Sequence, residues 1–139
     1  KLSKAQYRAD LCQALPFCRH IPIVFASAQT GYNIRQLVEK VDAVARRSQT
    51  QLPTAVLNRV IMDAYAKVQA PLVRGRMLKI YYATQIATRP PVLRLFVNDP
   101  QRMLPAYESY LIRRLREAFD LEGVPLVLKL QARRQKNDE

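Results

Sequence analysis

Ser27, Ala28 and Gln29 are the residues best placed for chemistry: they close the apolar run Pro22-Ile23-Val24-Phe25-Ala26 and precede Gly31. A buried parallel strand ending in small residues delivers a tight loop to the C-terminal edge of an α/β sheet, where ligands bind. Small side chains there leave backbone N–H groups free to meet a flat ligand. The other reactive groups form no constellation. His20 is the only histidine and has no Ser or Cys partner in a triad pattern. Cys12 and Cys18 lack metal-site spacing and further ligands, so two ordinary thiols of a reducing cytosol are expected. Asp63, Glu108, Glu117 and Asp120 stand near Arg or Lys on expected helices and read as solvated or ion-paired charges. Gly31, Gly75 and Gly123 are the only glycines and cannot build a G-x-x-x-x-G-K-[ST] phosphate loop; no Asn-Lys-x-Asp string is present either. Phosphoryl transfer from a nucleotide needs a phosphate cradle, a magnesium-binding acid and a water-orienting group. This chain supplies at most one edge of such a site, so no catalytic residue, metal or hydrolytic activity of its own is expected.

The second chemical resource is positive charge. Lys and Arg number 23 against 11 Asp and Glu, a formal net charge of +12 in 139 residues. An excess of this size favours a polyanionic partner, most often nucleic acid. The candidate phosphate contacts are Arg74, Arg76 and Lys79 around a basic loop, Arg89 and Arg94 around a turn, and Arg113, Arg114 and Arg116 on one helix. Such contacts give affinity and salt dependence without sequence choice. No G-x-x-G string occurs, which argues against a four-nucleotide clamp of the usual type.

The elements that must hold these groups fall into two unequal parts. An amphipathic helix over 3–15 turns Tyr7, Leu11, Ala14 and Leu15 to one side and ends at Pro16. Residues 21–27 read as a strand covered on both faces. A helix capped by Asn33 follows, carrying Ile34, Leu37, Val38, Val41 and Val44 inward and Arg46 and Arg47 in its last turn. One strand between two helices has nothing to pair with and leaves its backbone groups unsatisfied. Residues 1–47 therefore read as the end of a larger α/β domain whose front is absent, with an edge open to self-association through the orphan strand. A linker or hinge is expected at 48–52.

From Pro53 the pattern is α-β-β-α-β. A helix capped by Thr54 runs to about Gln69 and buries Leu57, Val60, Ile61, Ala64 and Val68. Residues 77–86 alternate, with Leu78, Ile80, Tyr82 and Thr84 on one face and Lys79, Tyr81, Ala83 and Gln85 on the other. A second strand over 92–98, a helix from Pro105 to Phe119 and a last strand near 125–132 complete the set. The fold class is α/β of the α+β kind: a three-stranded sheet with two helices on one face, over 53–139. Tyr81 and Phe96 would lie on the helix-free face, to stack on bases or to be covered by another domain. The charged tail from Arg133 to Glu139 is expected to fray. No apolar run reaches the roughly 20 residues that span a bilayer, so no membrane partner is expected.

Ser-Ala-Gln-Thr-Gly at 27–31 resembles the last guanine-specificity motif of GTPases, in which a Ser-Ala-x loop lies against the base. The strings L-P-T-A-V-L-N at 52–58, L-K-I-Y-Y-A-T-Q at 78–85, F-V-N-D-P at 96–100, E-S-Y-L-I-R-R-L-R-E-A-F at 108–119 and E-G-V-P-L at 122–126 follow in order. Together they resemble the KH-like C-terminal domain of the Der (EngA) family, bacterial tandem-domain GTPases acting in assembly of the large ribosomal subunit. The resemblance implies that 1–47 is the closing part of the second GTPase domain and that 53–139 is a KH-like domain. It implies that the Ala28 N–H faces the guanine oxygen, with Ser27 bracing the loop; many GTPases carry Lys where Gln29 stands. It also implies GTP or GDP with magnesium in the intact parent, none in this piece, and a cytoplasmic location. Implied partners are ribosomal RNA of the large subunit and the missing G domains, with nucleotide state read as a change of domain arrangement around 48–52. Two other classes stand beside this one: a stand-alone basic RNA-binding module without nucleotide coupling, and a purely structural interaction domain.

Overall fold

The computed structural model describes residues 1–133; the tail expected to fray lies almost wholly outside them. Helix α1 (Lys4–Ala14) is capped by Ser3, whose hydroxyl accepts from the Gln6 N–H, and a 3₁₀ turn follows at Pro16–Cys18. Helix α2 is Ile34–Ser48 and α3 is Thr54–Lys67. Strands β1 (Ile80–Ala87) and β2 (Val92–Val97) lead through a 3₁₀ turn at Pro100–Arg102 to α4 (Pro105–Ala118) and β3 (Val127–Ala132).

From α3 onward the α-β-β-α-β order is as expected. The sheet has the order β1-β2-β3, antiparallel between the first pair and parallel between the second. Its core face carries Ile80, Ala83, Leu93, Leu95 and Val97, packed against Leu57, Ile61 and Ala64 of α3 and Tyr107, Leu111 and Leu115 of α4. Each fully buried Leu contributes about 1.5–3 kcal/mol. Tyr107 donates to the Val68 carbonyl at 2.8 Å; burial first, then neighbouring Tyr110 and Tyr65, push its hydroxyl up to about 12.

The strict alternation expected in β1 fails after Ile80. Register slips between Ile80 and Tyr82, so one extra residue sits opposite β2 and the faces exchange. Ala83 is buried instead of Tyr82 and Thr84, and Tyr81 and Tyr82 are both exposed. Asn58 fixes the displaced stretch: its Oδ1 accepts from the Ala83 N–H at 2.7 Å, and its Nδ2 donates to the Ala83 carbonyl at 2.8 Å.

Residues 21–27 form no strand; the segment is extended but has no ladder partner among the described residues. The side of α2 assigned inward is open for the same reason, with Leu37, Val38 and Val41 exposed and only Val44 packed on the core. Asn33 holds the N-cap position of α2 as expected, but its side chain makes no capping bond there. It sits at φ 60°, and its amide donates to the Phe25 carbonyl at 3.0 Å, tying the extended segment to the helix start. Thr54, by contrast, is the first residue of α3 rather than its cap; Pro53 holds that position.

The 48–52 segment is not free. Ser48 belongs to α2 and its carbonyl accepts from the Arg89 N–H at 3.0 Å. Gln85 accepts from the Leu52 N–H at 2.7 Å and donates to the Thr50 carbonyl at 3.1 Å, while Leu52 is buried. A second junction joins the His20 carbonyl to the Gly123 N–H at 2.8 Å and the Arg47 Nε to Asp120 at 3.2 Å. Arg47 Nη1 is buried 3.8 Å from Glu122, within ion-pair range but too far for a hydrogen bond.

Candidate nucleic-acid interface

The loop at 27–31 is shaped by its own side chains. Ser27 Oγ accepts from the Thr30 N–H at 3.3 Å, and the Ser27 carbonyl accepts from the Gly31 N–H at 2.9 Å. Gly31 has φ 74°, a conformation that side chains disfavour, and opens the turn into α2. Ala28 and Gln29 are exposed, and among the described residues their N–H groups meet no protein acceptor. The loop can offer backbone donors to a carbonyl of a flat ring. Among the described residues no group of three or more His, Cys, Asp or Glu could hold a metal ion. Nor is any described helix long and apolar enough to cross a membrane.

The cations named from the sequence divide into three groups. Arg74 and Arg76 flank a tight hairpin turn closed by reciprocal Val73–Arg76 backbone bonds, with positive φ at Arg74 and Gly75. They line a cavity of about 290 Å³ together with Asp99, Gln101 and Arg102. Arg102 was not foreseen there; it is held 3.5 Å from Asp99 at the turn before α4. Lys79 is exposed nearby in sequence but does not line this cavity, its backbone bonded to Asn98.

On α4 the three arginines separate. Arg113 lies 5.9 Å from the Tyr110 ring centre, and Arg114 pairs with Glu117 at 3.1 Å. Arg116 is spent on structure: its Nη1 donates to the Leu121 and Val124 carbonyls, closing the loop between α4 and β3. Burial lowers its pKa, and its charge adds to burial in lowering that of His20. Its Nη1 is thus engaged within the fold, a point that helical spacing alone did not reveal.

The third group lies on the helix-free face of the sheet. Because Leu93, Leu95 and Val97 face the helices, Arg94 and Phe96 face away from them. Register places Thr84, Arg94 and Lys129 in one row and Tyr82, Phe96 and Gln131 in the next. Tyr82, rather than Tyr81, joins Phe96, with rings stacked at 4.2 Å and 16°. Tyr81 instead lies under the Arg133 guanidinium at 4.8 Å. Tyr82, Lys129 and Arg133 escaped sequence reasoning. The signal for the lysine was there to read: Ile80–Ala87, Val92–Val97 and Val127–Ala132 contain no Asp or Glu at all. Arg89 is exposed at the β1–β2 turn. Among the described residues Arg74, Arg76, Lys79, Arg89, Arg94 and Arg113 have no carboxylate within ion-pair distance.

Residues 51–131 match the family model described as KH-domain-like of EngA bacterial GTPase enzymes, C-terminal. Among curated proteins, the chain is 46% identical over 112 residues to GTPase Der of Natranaerobius thermophilus, covering 81% of this chain and 26% of that protein. It is 45% identical over 131 residues to GTPase Der of a Geobacillus species, covering 94% and 30%. Against GTPase Der of Lactobacillus delbrueckii subsp. bulgaricus it is 38% identical over 134 residues, covering 96% and 30%. The chain thus spans under a third of the length of these relatives.

Proposed function

Since the chain belongs to the EngA family of bacterial GTPases, through the KH-domain-like C-terminal module of those enzymes, we propose that it is part of a GTP-binding protein acting in assembly of the large ribosomal subunit. In this reading the KH-like domain docks on ribosomal RNA, in the bacterial cytoplasm. GTP or GDP and magnesium belong to the parent protein. Of this chain's residues, only the Ser27–Gln29 loop would reach the guanine, with the Ala28 N–H donating to its carbonyl oxygen. That loop would bias the base, while the phosphates and the attacking water would be handled elsewhere in the parent.

The observation that carries the RNA reading is a set of cations free of acidic partners on a folded KH-like frame. Arg74 and Arg76 stand at a tight turn beside the Arg102–Asp99 pair, where phosphate oxygens could replace water around the two guanidinium groups that lack an acidic partner. Docking of this kind needs no G-x-x-G clamp.

The test is filter binding of the full chain to large-subunit ribosomal RNA from 50 to 200 mM salt. Affinity should fall steeply across that range, and Arg74→Gln with Arg76→Gln should reduce the slope of log affinity against log salt by about 0.7–0.9 per lost contact. Binding that ignores salt, or none at 50 mM, would remove the RNA reading and leave a structural interaction domain. Co-sedimentation with large but not small subunits on a gradient tests the assembly role.

A further inference from the structure

We propose that the helix-free face of the sheet binds single-stranded RNA, with a base stacking on the Tyr82–Phe96 pair and phosphates held by Arg94, Lys129 and Arg133. The proposal rests on the reading of the KH-like domain as an RNA-docking module, and it assigns the surface and the form of the ligand.

Charge is the first argument. Arg94 and Lys129 are direct neighbours in the parallel β2–β3 register, on strands that carry no acid. Like charges placed opposite one another across strands are destabilising. A polyanion lying across the pair removes that cost, whereas an apolar partner would have to desolvate both cations.

The rings are the second argument. Tyr82 is 45% exposed and stacks in parallel on Phe96, so each ring covers one face of the other and the open stacking platform is the outer face of Tyr82, in the row next to the cations. Rows on one face of a strand repeat about every 7 Å. A base lying on the platform would therefore have the Arg94–Lys129 row one step to one side. Tyr81, exposed next to Tyr82 in the chain, lies under the Arg133 guanidinium at 4.8 Å and so brings a third cation beside these residues. In a duplex the base faces are buried in the stack, so such a platform serves unpaired nucleotides only.

The docked segment 1–48 leaves the surface open. Its contacts with the KH-like unit run through the 119–123 loop and the β1–β2 turn, at one end of the strands.

The experiment measures binding of the full chain to a fluorescein-labelled single-stranded RNA 12-mer and to a duplex of the same length. Tyr82→Ser should weaken single-strand binding about 5- to 150-fold, the range for loss of one stacked base, and change duplex binding less than 2-fold. Tyr82→Trp should retain affinity, and its fluorescence should be quenched as the single strand is added. Arg94→Gln and Lys129→Gln should each lower the salt slope for single strands by about 0.7. If wild type binds RNA with normal salt dependence but Tyr82→Ser and Arg94→Gln leave single-strand affinity unchanged, this face is overturned and the RNA reading survives. Equal losses on single strand and duplex would overturn the stacking role. If wild type binds neither RNA, the RNA reading itself fails, and this assignment with it.

Discussion

Replacing Gly123 by Ala tests whether residues 20–48 are seated on the KH-like unit as described. Gly123 has φ 77°, and its N–H holds the His20 carbonyl. An added Cβ would stand 2.8 Å from Val44 Cγ2 and 2.9 Å from Pro22 Cδ, inside any ordinary contact. Two costs follow. A left-handed backbone costs an Ala roughly 1–2 kcal/mol, and overpacking at such distances adds about 1–3 kcal/mol. The total is about 2–5 kcal/mol. Gly75→Ala separates them, because Gly75 has φ 72° but nothing within 4 Å of the added atom; it should cost only the backbone share. Urea unfolding followed by far-ultraviolet circular dichroism gives both values, and hydrogen exchange at residue 123 reports whether the bond to His20 persists. A Gly123→Ala loss no larger than that of Gly75→Ala, with residue 123 still protected, would refute the packing of Pro22 and Val44 against this loop.

Two further outcomes can be stated. Asn58→Ala should destabilise by about 1–3 kcal/mol in the same urea experiment, since it strips partners from both the N–H and the carbonyl of Ala83; a loss under about 0.5 kcal/mol would mean that the bulge in β1 holds without it. Burial first, and then the charge of Arg116, lower the pKa of His20, against a smaller opposing effect of the Phe17 backbone. The unfolded chain thus takes up this proton at a higher pH than the folded one, so His20 leaves stability intact above about pH 6.5 and erodes it as pH falls through its lowered native value. His20→Gln should flatten that part of a stability-against-pH curve, and an unchanged slope would show that His20 is not its source.

The order of elements was legible because Leu57, Ile61 and Ala64, or Leu93, Leu95 and Val97, repeat at the period of the structure they form. Three things were not. The bulge at Tyr81 inserts one residue without changing composition, so no pattern of two could see it, and the aromatic pairing was assigned to the wrong tyrosine. Asn58, Gln85 and Arg116 look like surface polar residues in sequence, yet each bonds to backbone from 5 to 35 positions away. The 27–31 loop was legible as chemistry because small residues before a glycine constrain the backbone directly. The strand before it was readable only as an intention, since a ladder needs a second strand to exist.

Asn58 and Gln85 together give the sheet a direction. Along its outer side β1 is stitched to α3 by one amide and to the 50–52 segment by the other, so its outward backbone groups at Ala83 are already answered. Among the described residues β3 has β2 on one side only. An additional strand, whether from a second molecule or from a partner's extended peptide, would find the Ala83 backbone already bonded on the β1 flank, and on the β3 flank it would lie beside Lys129. A lysine on an exposed edge strand discourages indiscriminate pairing. The sheet is pinned at Ala83 on one flank and guarded by a lysine on the other, which suits it to laying a ligand across its face more than to templating further sheet.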